Sequence, residues 1–260
     1  MKPPKIAFVG DLTADIYMPQ RDIRLGGAAY NAALWAKRLG ARAKIFSCVG
    51  SDVVGEKFPH SENIQKKRGK TSAIEIFVSK DGERQYGTWN PGVLVKYHFR
   101  NKDKKILRTM DAIVVTVYPF FEHILKEIPV GPLVVINYGD LKEFDRRIDV
   151  VVRNMKIADI LIFGLDKDED EQLINDILLL ASMQNKMAIV TLGKYGSIAW
   201  LNGKSFIQPA QEVKPVDTTG AGDSFLSAFL VSYLKTNDIQ KSLNSGTDLA
   251  SKVIQKVGAY

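Results

Sequence analysis

One cysteine in 260 residues, Cys48, leaves this chain without an internal disulfide. It lies inside AKIFSCVG, an apolar run, and reads as plain core. Three histidines, His60, His98 and His123, show no metal-site spacing. No apolar segment approaches the ~20 residues that cross a bilayer, and the opening MKPPKIAFVG has neither a long apolar stretch nor a small-residue cleavage site. These absences point to a reducing, cytoplasmic setting and no membrane partner. Excess charge of one sign is also modest: 36 Lys and Arg against 29 Asp and Glu, a net of +7. That balance favours anionic ligands in general. The basic residues are scattered rather than interleaved with aromatics, which argues against nucleic acid as a partner. With no internal repeat, low-complexity tract or long linker, the chain reads as one domain over residues 1–260.

What is present is an alternation. The short β-branched or aromatic runs IAFVG, AKIFSCVG, AIVVTVY, LVVINY, ILIFG and AIVTLG are separated by amphipathic or connecting segments. That order predicts an α/β fold, a mostly parallel sheet with helices on both faces, whose functional residues collect at the carboxyl ends of the strands. One stretch breaks the rhythm. In TSAIEIFVSKDGERQYGTW, Ile74, Ile76 and Val78 alternate with Glu75 and Phe77, and Asp81-Gly82 marks a turn before a second extended run. The pattern is a β-hairpin, either at the edge of the main sheet or as a flap over a cleft, and its apolar faces could also pair with a second copy of the chain. The run NKDKK at 101–105 reads as a solvated turn.

The densest chemistry lies in VDTTGAGDSFLSAFL, residues 216–230. Phe225, Leu226, Phe229, Leu230, Tyr233 and Leu234 recur at helical spacing, which starts a helix at about Gly222. Gly220 and Gly222 let the backbone turn tightly, so that the amides of Gly220, Ala221 and Gly222 converge at the positive end of the helix dipole and can bind an anion. Asp223 beside that nest would repel a phosphate, unless it accepts the proton of a hydroxyl that attacks a phosphoryl group held by the nest. Alone, the segment reads first as a capped helix start, since Gly, Asp and Ser are ordinary capping residues.

A second constellation follows the first strand. GDLTADIY carries Asp11 and Asp15, and LGGAAYNAALWAKRLG carries Gly26, Gly27 and Asn31. Carboxylates and an amide near two glycines can accept from and donate to the hydroxyls of a sugar.

In this order the segments resemble the ribokinase, or PfkB-type, carbohydrate kinases from end to end. GGAAYNAALWAKRLG is similar to the N-terminal signature, VGSDVVGEKF to the segment after it, TLGKYG to a nucleotide-side strand and loop, and DTTGAGDSF to the C-terminal signature. The resemblance implies a three-layer α/β core with a small β-sheet lid, here near residues 12–25 and 71–98. It implies ATP and Mg²⁺, allows for a monovalent cation, and implies transfer of the γ-phosphoryl group to a primary hydroxyl. By position, Asp223 would be the catalytic base and Gly220, Ala221 and Gly222 the anion hole. Asp15, Gly26, Gly27, Asn31 and Asp217 would face the acceptor; Thr191, Gly193 and Gly196 would face the nucleotide, with Gly246 and Thr247 closing its adenine side.

Within the family the chain is most similar to the compact fructoselysine 6-kinase branch, whose acceptors are sugars carrying an amine adduct. Asp11 would suit a cationic amine. Arg84 and Trp89 on the hairpin are candidates to cover the acceptor, or else surface or dimer residues, with a homodimer formed through the lid. Two departures stand out. The family's Asn-x-x-Glu pair has become Asp166 and Glu169 in FGLDKDEDEQL, either an indirect metal site or an ordinary acidic first turn. The stretch from Gly55 to Thr71 is short and contains Pro59, which truncates a helix. The expectation is a sugar kinase acting on a fructosamine-like acceptor, with a nucleoside or 2-keto-3-deoxy-sugar kinase as the alternative within enzymes. A sugar- or nucleotide-binding regulatory protein on the same fold is the alternative outside them.

Overall fold

The computed structural model describes residues 2–80 and 82–260. The chain begins β1 (Lys5–Val9), β2 (Thr13–Tyr17), β3 (Asp22–Gly26), α1 (Ala28–Arg38), β4 (Arg42–Gly50), α2 (Val53–Lys57) and β5 (Ile64–Lys67). It continues through β6 (Ser72–Val78), β7 (Arg84–Asn90), α3 (Asn101–Leu107), β8 (Ala112–Thr116), β9 (Leu133–Asn137), α4 (Ile148–Asn154) and β10 (Ile160–Gly164). It ends with α5 (Glu171–Met183), β11 (Met187–Thr191), β12 (Ser197–Leu201), β13 (Lys204–Gln208), α6 (Ala221–Thr236) and α7 (Ile239–Val253).

Nine strands form one sheet in the order β13-β12-β11-β10-β9-β8-β1-β4-β5. From β11 to β5 every pairing is parallel; β12 and β13 close one edge antiparallel. All six runs picked out by their composition are strands of its parallel part. β1 shows why the sheet must be covered twice: Ile6 and Phe8 point to one core, Ala7 and Val9 to the other, and all four have no exposed surface. The first core packs against α1, α6 and α7, the second against α3, α4 and α5. Helix α6 is buried on all sides from Ser224 to Val231, since it lies between α1, α7 and the sheet.

Two local readings change. NKDKK forms the first five of the seven residues of α3, not a turn. The carboxylate of Asp103 accepts the Arg100 amide (2.9 Å) and the Arg100 Nε (2.8 Å), which caps the helix start, and Asp103 has no exposed surface. The shortened 55–71 stretch does truncate a helix: α2 has 5 residues and stops at Phe58, held extended at φ −71°, ψ 148° by the following Pro59.

The hairpin belongs to neither edge of the main sheet. With β2 and β3 it builds a separate four-stranded sheet, order β3-β2-β6-β7, in which β2 and β6 run parallel and two hairpins flank that seam. Asp81 lies outside the described residues, while Gly82 donates its amide to Ser79 O at 3.0 Å across the same turn. Thr13, Asp15 and Tyr17 lie on one face of the small sheet with Arg24, Ile76 and Trp89 as neighbours in register. This face is turned to the core, because Ile76 is 1% exposed and Tyr17 reaches Asp217. The opposite face leaves Ile23 and Phe77 exposed. Residues Gly92–Lys96 return to the main core as a 3-10 turn with Val93 and Leu94 buried.

Candidate active site

The carboxyl end of β1 and the small sheet bring Asp11 and Asp15 together, both nearly fully buried. The Asp11 carboxylate accepts from Thr13 Oγ1 (2.9 Å) and from the Tyr118 hydroxyl (3.1 Å). The two glycines ahead of α1 are explained by these carboxylates. A Cβ on Gly26 would sit 2.0 Å from Asp15 Oδ2, and one on Gly27 would sit 2.6 Å from the Asp11 carbonyl, at a φ of 101° that disfavours a side chain anyway. Asn31, on the first turn of α1, donates Nδ2 to Asp223 Oδ2 at 2.9 Å. Its Oδ1 is buried without a partner among the described residues, an acceptor able to take a ligand hydroxyl.

At the start of α6, Gly220 adopts a left-handed φ of 78° and Ser224 closes the first helical bond back to its carbonyl. The Ala221 amide bends back to Thr218 O at 3.2 Å, whereas those of Gly220 and Gly222 have no bonded partner among the described residues. The nest therefore stands open at two of its three expected members. A Cβ on Gly220 would meet Ala259 Cβ at 2.5 Å, so Gly220→Ala is expected to cost roughly 2 kcal/mol from backbone strain and overpacking together, read as a lowered Tm. An unchanged Tm would mean that the 254–260 segment yields freely. Asp217 is 1% exposed, and its carboxylate accepts from the Thr219 amide (2.8 Å), the Gly258 amide (2.8 Å) and the Tyr17 hydroxyl (3.1 Å). It ties the small sheet and the last turn of chain to the α6 start.

The carboxylates of Asp11, Asp15 and Asp223 interact with one another and with the Arg84 guanidinium. Burial first, then the charges of Asp11 and Asp223, push Asp15 up to about 8, with Arg84 opposing. Burial pushes Asp223 up to about 6, against the hydrogen bond from Asn31 and the charge of Arg84. Asp11 is raised by burial as well, in part offset by Thr13 and Tyr118. A half-buried acid at Asp223 beside open amides can hold or accept a proton near neutral pH.

Arg84 reaches the site from β7, its guanidinium 4.8 Å over the Tyr86 ring. The β6–β7 hairpin is docked: Thr218 N donates to Gly82 O (3.1 Å) and the Arg84 amide to Thr218 Oγ1 (3.3 Å), so the small sheet closes on the loop that leads into α6. Trp89 anchors its Nε1 on Ser72 Oγ at 3.0 Å and packs 4.7 Å from the Tyr118 ring and 5.6 Å from Phe120. Tyr118 and Phe120 stack 5.7 Å apart. Carboxylates next to aromatic rings suit a ligand with a hydroxylated rim and an apolar face. The sequence reading missed Tyr17, Tyr86 and Tyr118. Only Tyr118 carried a signal, as the second residue beyond the carboxyl end of a parallel strand.

Thr191 ends β11 and donates its hydroxyl to Phe163 O at 3.2 Å. Gly193 and Gly196 follow with φ of 53° and 95°, and a Cβ on Gly196 would sit 2.1 Å from Gln208 O. Gly246 lies within α7, where a Cβ would strike the Phe225 ring at 2.7 Å, so its visible task is to let α6 and α7 approach; Thr247 is buried beside it. Asp166 Oδ1 accepts the amides of Asp168 (2.8 Å) and Glu169 (3.0 Å), while the Glu169 side chain is 74% exposed. The described residues hold no group of three His, Cys, Asp or Glu side chains placed to cage a metal ion. No helix among them is long and apolar enough to cross a membrane.

A nine-strand, largely parallel sheet between two helical layers, with a small sheet folded over its carboxyl edge, defines the class: a ribokinase-type α/β kinase fold. The adenosine kinase of Sinorhizobium meliloti superposes over 100% of this chain and 96% of its own with a TM-score of 0.84 at 21% identity. Residues 139–260 match the model of the pfkB family of carbohydrate kinases. The chain is similar to fructoselysine 6-kinase of Escherichia coli, 27% identical across 98% of this chain and 99% of that protein. It is also similar to fructosamine kinase FrlD of Bacillus subtilis, 27% identical across 98% of this chain and 93% of that one.

Proposed function

We propose that the protein transfers the γ-phosphoryl group of ATP to a primary hydroxyl of a fructosamine, a ketose carrying an amine at the carbon opposite the reacting one. The observation that carries this reading is the placement of Asp223, raised to about 6, between the open amides at the α6 start and a pocket with two further carboxylates. The acceptor lies under Trp89 and Tyr118, with its hydroxyls on Asp11 and the free Oδ1 of Asn31. Asp223 takes the proton of the attacking hydroxyl late in an in-line transfer, while the amides of Gly220 and Gly222 stabilise the charge on the departing phosphoryl oxygens. Arg84 lies near enough to Asp223 and Asp15 to temper their repulsion and meets the transferring group from the lid side. The docked hairpin keeps water from competing with the sugar.

Thr191, Gly193 and Gly196 line the nucleotide side, with Gly246 and Thr247 behind it. The donor set fits a magnesium ion carried on the nucleotide phosphates: Asp166 commits one oxygen to backbone amides and keeps the other, with Glu169, for waters of such an ion. Bound there, magnesium would neutralise phosphate charge.

Two relatives named for fructoselysine and fructosamine, and a carboxylate pocket that favours a cation, support the amine-bearing acceptor over a nucleoside or a 2-keto-3-deoxy sugar. A screen of fructosamines, ketoses, 2-keto-3-deoxy sugars and nucleosides, read by ADP release, is expected to give the highest kcat/KM with a fructosamine. Preference for a nucleoside by tenfold or more would overturn the reading.

A further inference from the structure

Beside the pocket just described, a cavity of about 260 Å³ opens between the small sheet and the 254–260 segment. Asp15, Tyr17, Arg24 and Leu25 form one wall, and Gly258 to Tyr260 the other. It is smaller than the ~300 Å³ at which clefts for whole ligands begin. It shares Asp15 with the acceptor site and so extends it, providing room for a fragment attached to the sugar.

Its charges are arranged in a specific way. Asp15 and Arg24 are directly opposed residues of the antiparallel β2–β3 pair, so a carboxylate and a guanidinium stand side by side on the inward face. Arg24 is fixed at three points. Its Nε donates to Asp22 Oδ2 at 3.0 Å, its Nη1 donates to Val257 O at 3.0 Å, and the guanidinium lies 4.9 Å over the Tyr17 ring. Nη2 has no hydrogen-bond partner among the described residues. The Asp15 carboxylate likewise accepts no hydrogen bond there, although the residue is only 6% exposed. A buried carboxylate without a donor and a pinned guanidinium with spare N–H groups, one β-ladder step apart, are complementary to a group that bears a cation and an anion on adjacent atoms.

We propose that this cavity binds the amino-acid part of the acceptor, and that the preferred acceptor is a sugar joined through its C1 carbon to the α-nitrogen of an amino acid, the secondary ammonium on Asp15 and the α-carboxylate on Arg24. The inference rests on the fructosamine reading above. An adduct on the ε-nitrogen of lysine places its carboxylate five carbons from the sugar-bearing nitrogen, too far for Arg24 when the ammonium sits on Asp15. Arg24 is thus a specificity residue that touches the part of the substrate remote from the chemistry.

The test compares fructosyl-glycine, ε-fructosyl-lysine and fructosyl-ethanolamine, which has the amine but no carboxylate, in wild type, Arg24→Met and Arg24→Lys. Wild type is expected to show the lowest KM for fructosyl-glycine. Arg24→Met is expected to raise that KM about 10- to 100-fold, with kcat nearly unchanged and the KM for fructosyl-ethanolamine within twofold of wild type. Arg24→Lys, which keeps the charge, should recover part of the loss; matched thermal melts separate these effects from misfolding at the Val257 contact. Equal wild-type KM for fructosyl-glycine and fructosyl-ethanolamine, or an Arg24→Met loss that is the same for all three, overturns the proposal while leaving the fructosamine reading standing. Turnover of none of the three, with another sugar phosphorylated, overturns both.

Discussion

Asp223→Asn is expected to lower kcat by about 10³-fold while changing the dissociation constant for ATP by less than about twofold. The amide keeps the shape of the carboxylate and can still meet Asn31, but it cannot take a proton from the acceptor hydroxyl. The amides of Gly220 and Gly222 remain in place, which is why nucleotide binding survives. In the wild-type enzyme the same group sets the acid limb of the pH profile. With Asp223 raised to about 6, the base form is lost as pH falls through that value, so kcat/KM should drop with unit slope below about pH 6. Steady-state ADP release and an equilibrium ATP titration measure the two quantities. A variant that retains a tenth of wild-type turnover would remove Asp223 from the role of base.

Asp15→Asn is expected to do opposite things to stability and to activity. In the folded protein Asp15 holds its proton up to about pH 8, whereas an unfolded chain releases it near the ordinary aspartate value of 3.8. Between those two values the folded state binds the extra proton. Its contribution to stability is fully present below about pH 4 and is lost as pH rises through 8. Asparagine removes the charge that must otherwise be buried near Asp11 and Asp223. Each tenfold change in proton affinity is equivalent to about 1.4 kcal/mol, and Arg84 and local water relieve much of the repulsion. The variant should therefore gain roughly 2 kcal/mol over wild type at pH 8.5 and almost nothing at pH 4. The acceptor KM should rise tenfold or more, because an amide, unlike the Asp15 carboxyl, cannot give up a proton to pair with a cationic amine. Thermal or urea unfolding at both pH values is the measurement, and a variant less stable than wild type at pH 8.5 would show that the Asp15 charge is already satisfied.

The instability of this cluster makes sense for a binding site. Asp11, Asp15 and Asp223 crowd together at a cost to the empty protein, and a cationic, hydroxylated ligand relieves it.

The parallel sheet and the α6 start were legible because their signals are local. β1 is apolar on both alternating faces, which only a strand covered twice requires, and the Gly220–Asp223 segment has the small residues and acid that a helix start with an open amide nest needs. The hairpin at 72–90 was legible as an element but not in its place. Nothing in IEIFV states whether it borders the main sheet or pairs with β2, since both offer it an apolar face. The family resemblance leads to an expected nucleotide-side role for Gly246, whereas its close approach to the Phe225 ring cannot be seen from a helix read alone. NKDKK looks solvated because all its residues are polar and most are charged, yet its Asp103 is buried against Arg100.

By itself the sequence determined the layered α/β class, the order of segments that resembles the ribokinase-type kinases, and the choice of Asp223, Asn31 and the paired glycines as candidates, because these depend on residue type and short spacing along one element. Only the tertiary structure decided which groups share the site. Tyr17, Arg24, Tyr86 and Tyr118 come from four strands or loops, and Asp217 is engaged in holding the 254–260 segment rather than left open. Cross-strand register and the distances between carboxylates are set when distant segments pack, and it is those distances that fix both the proton affinities and the shape of the acceptor cavity.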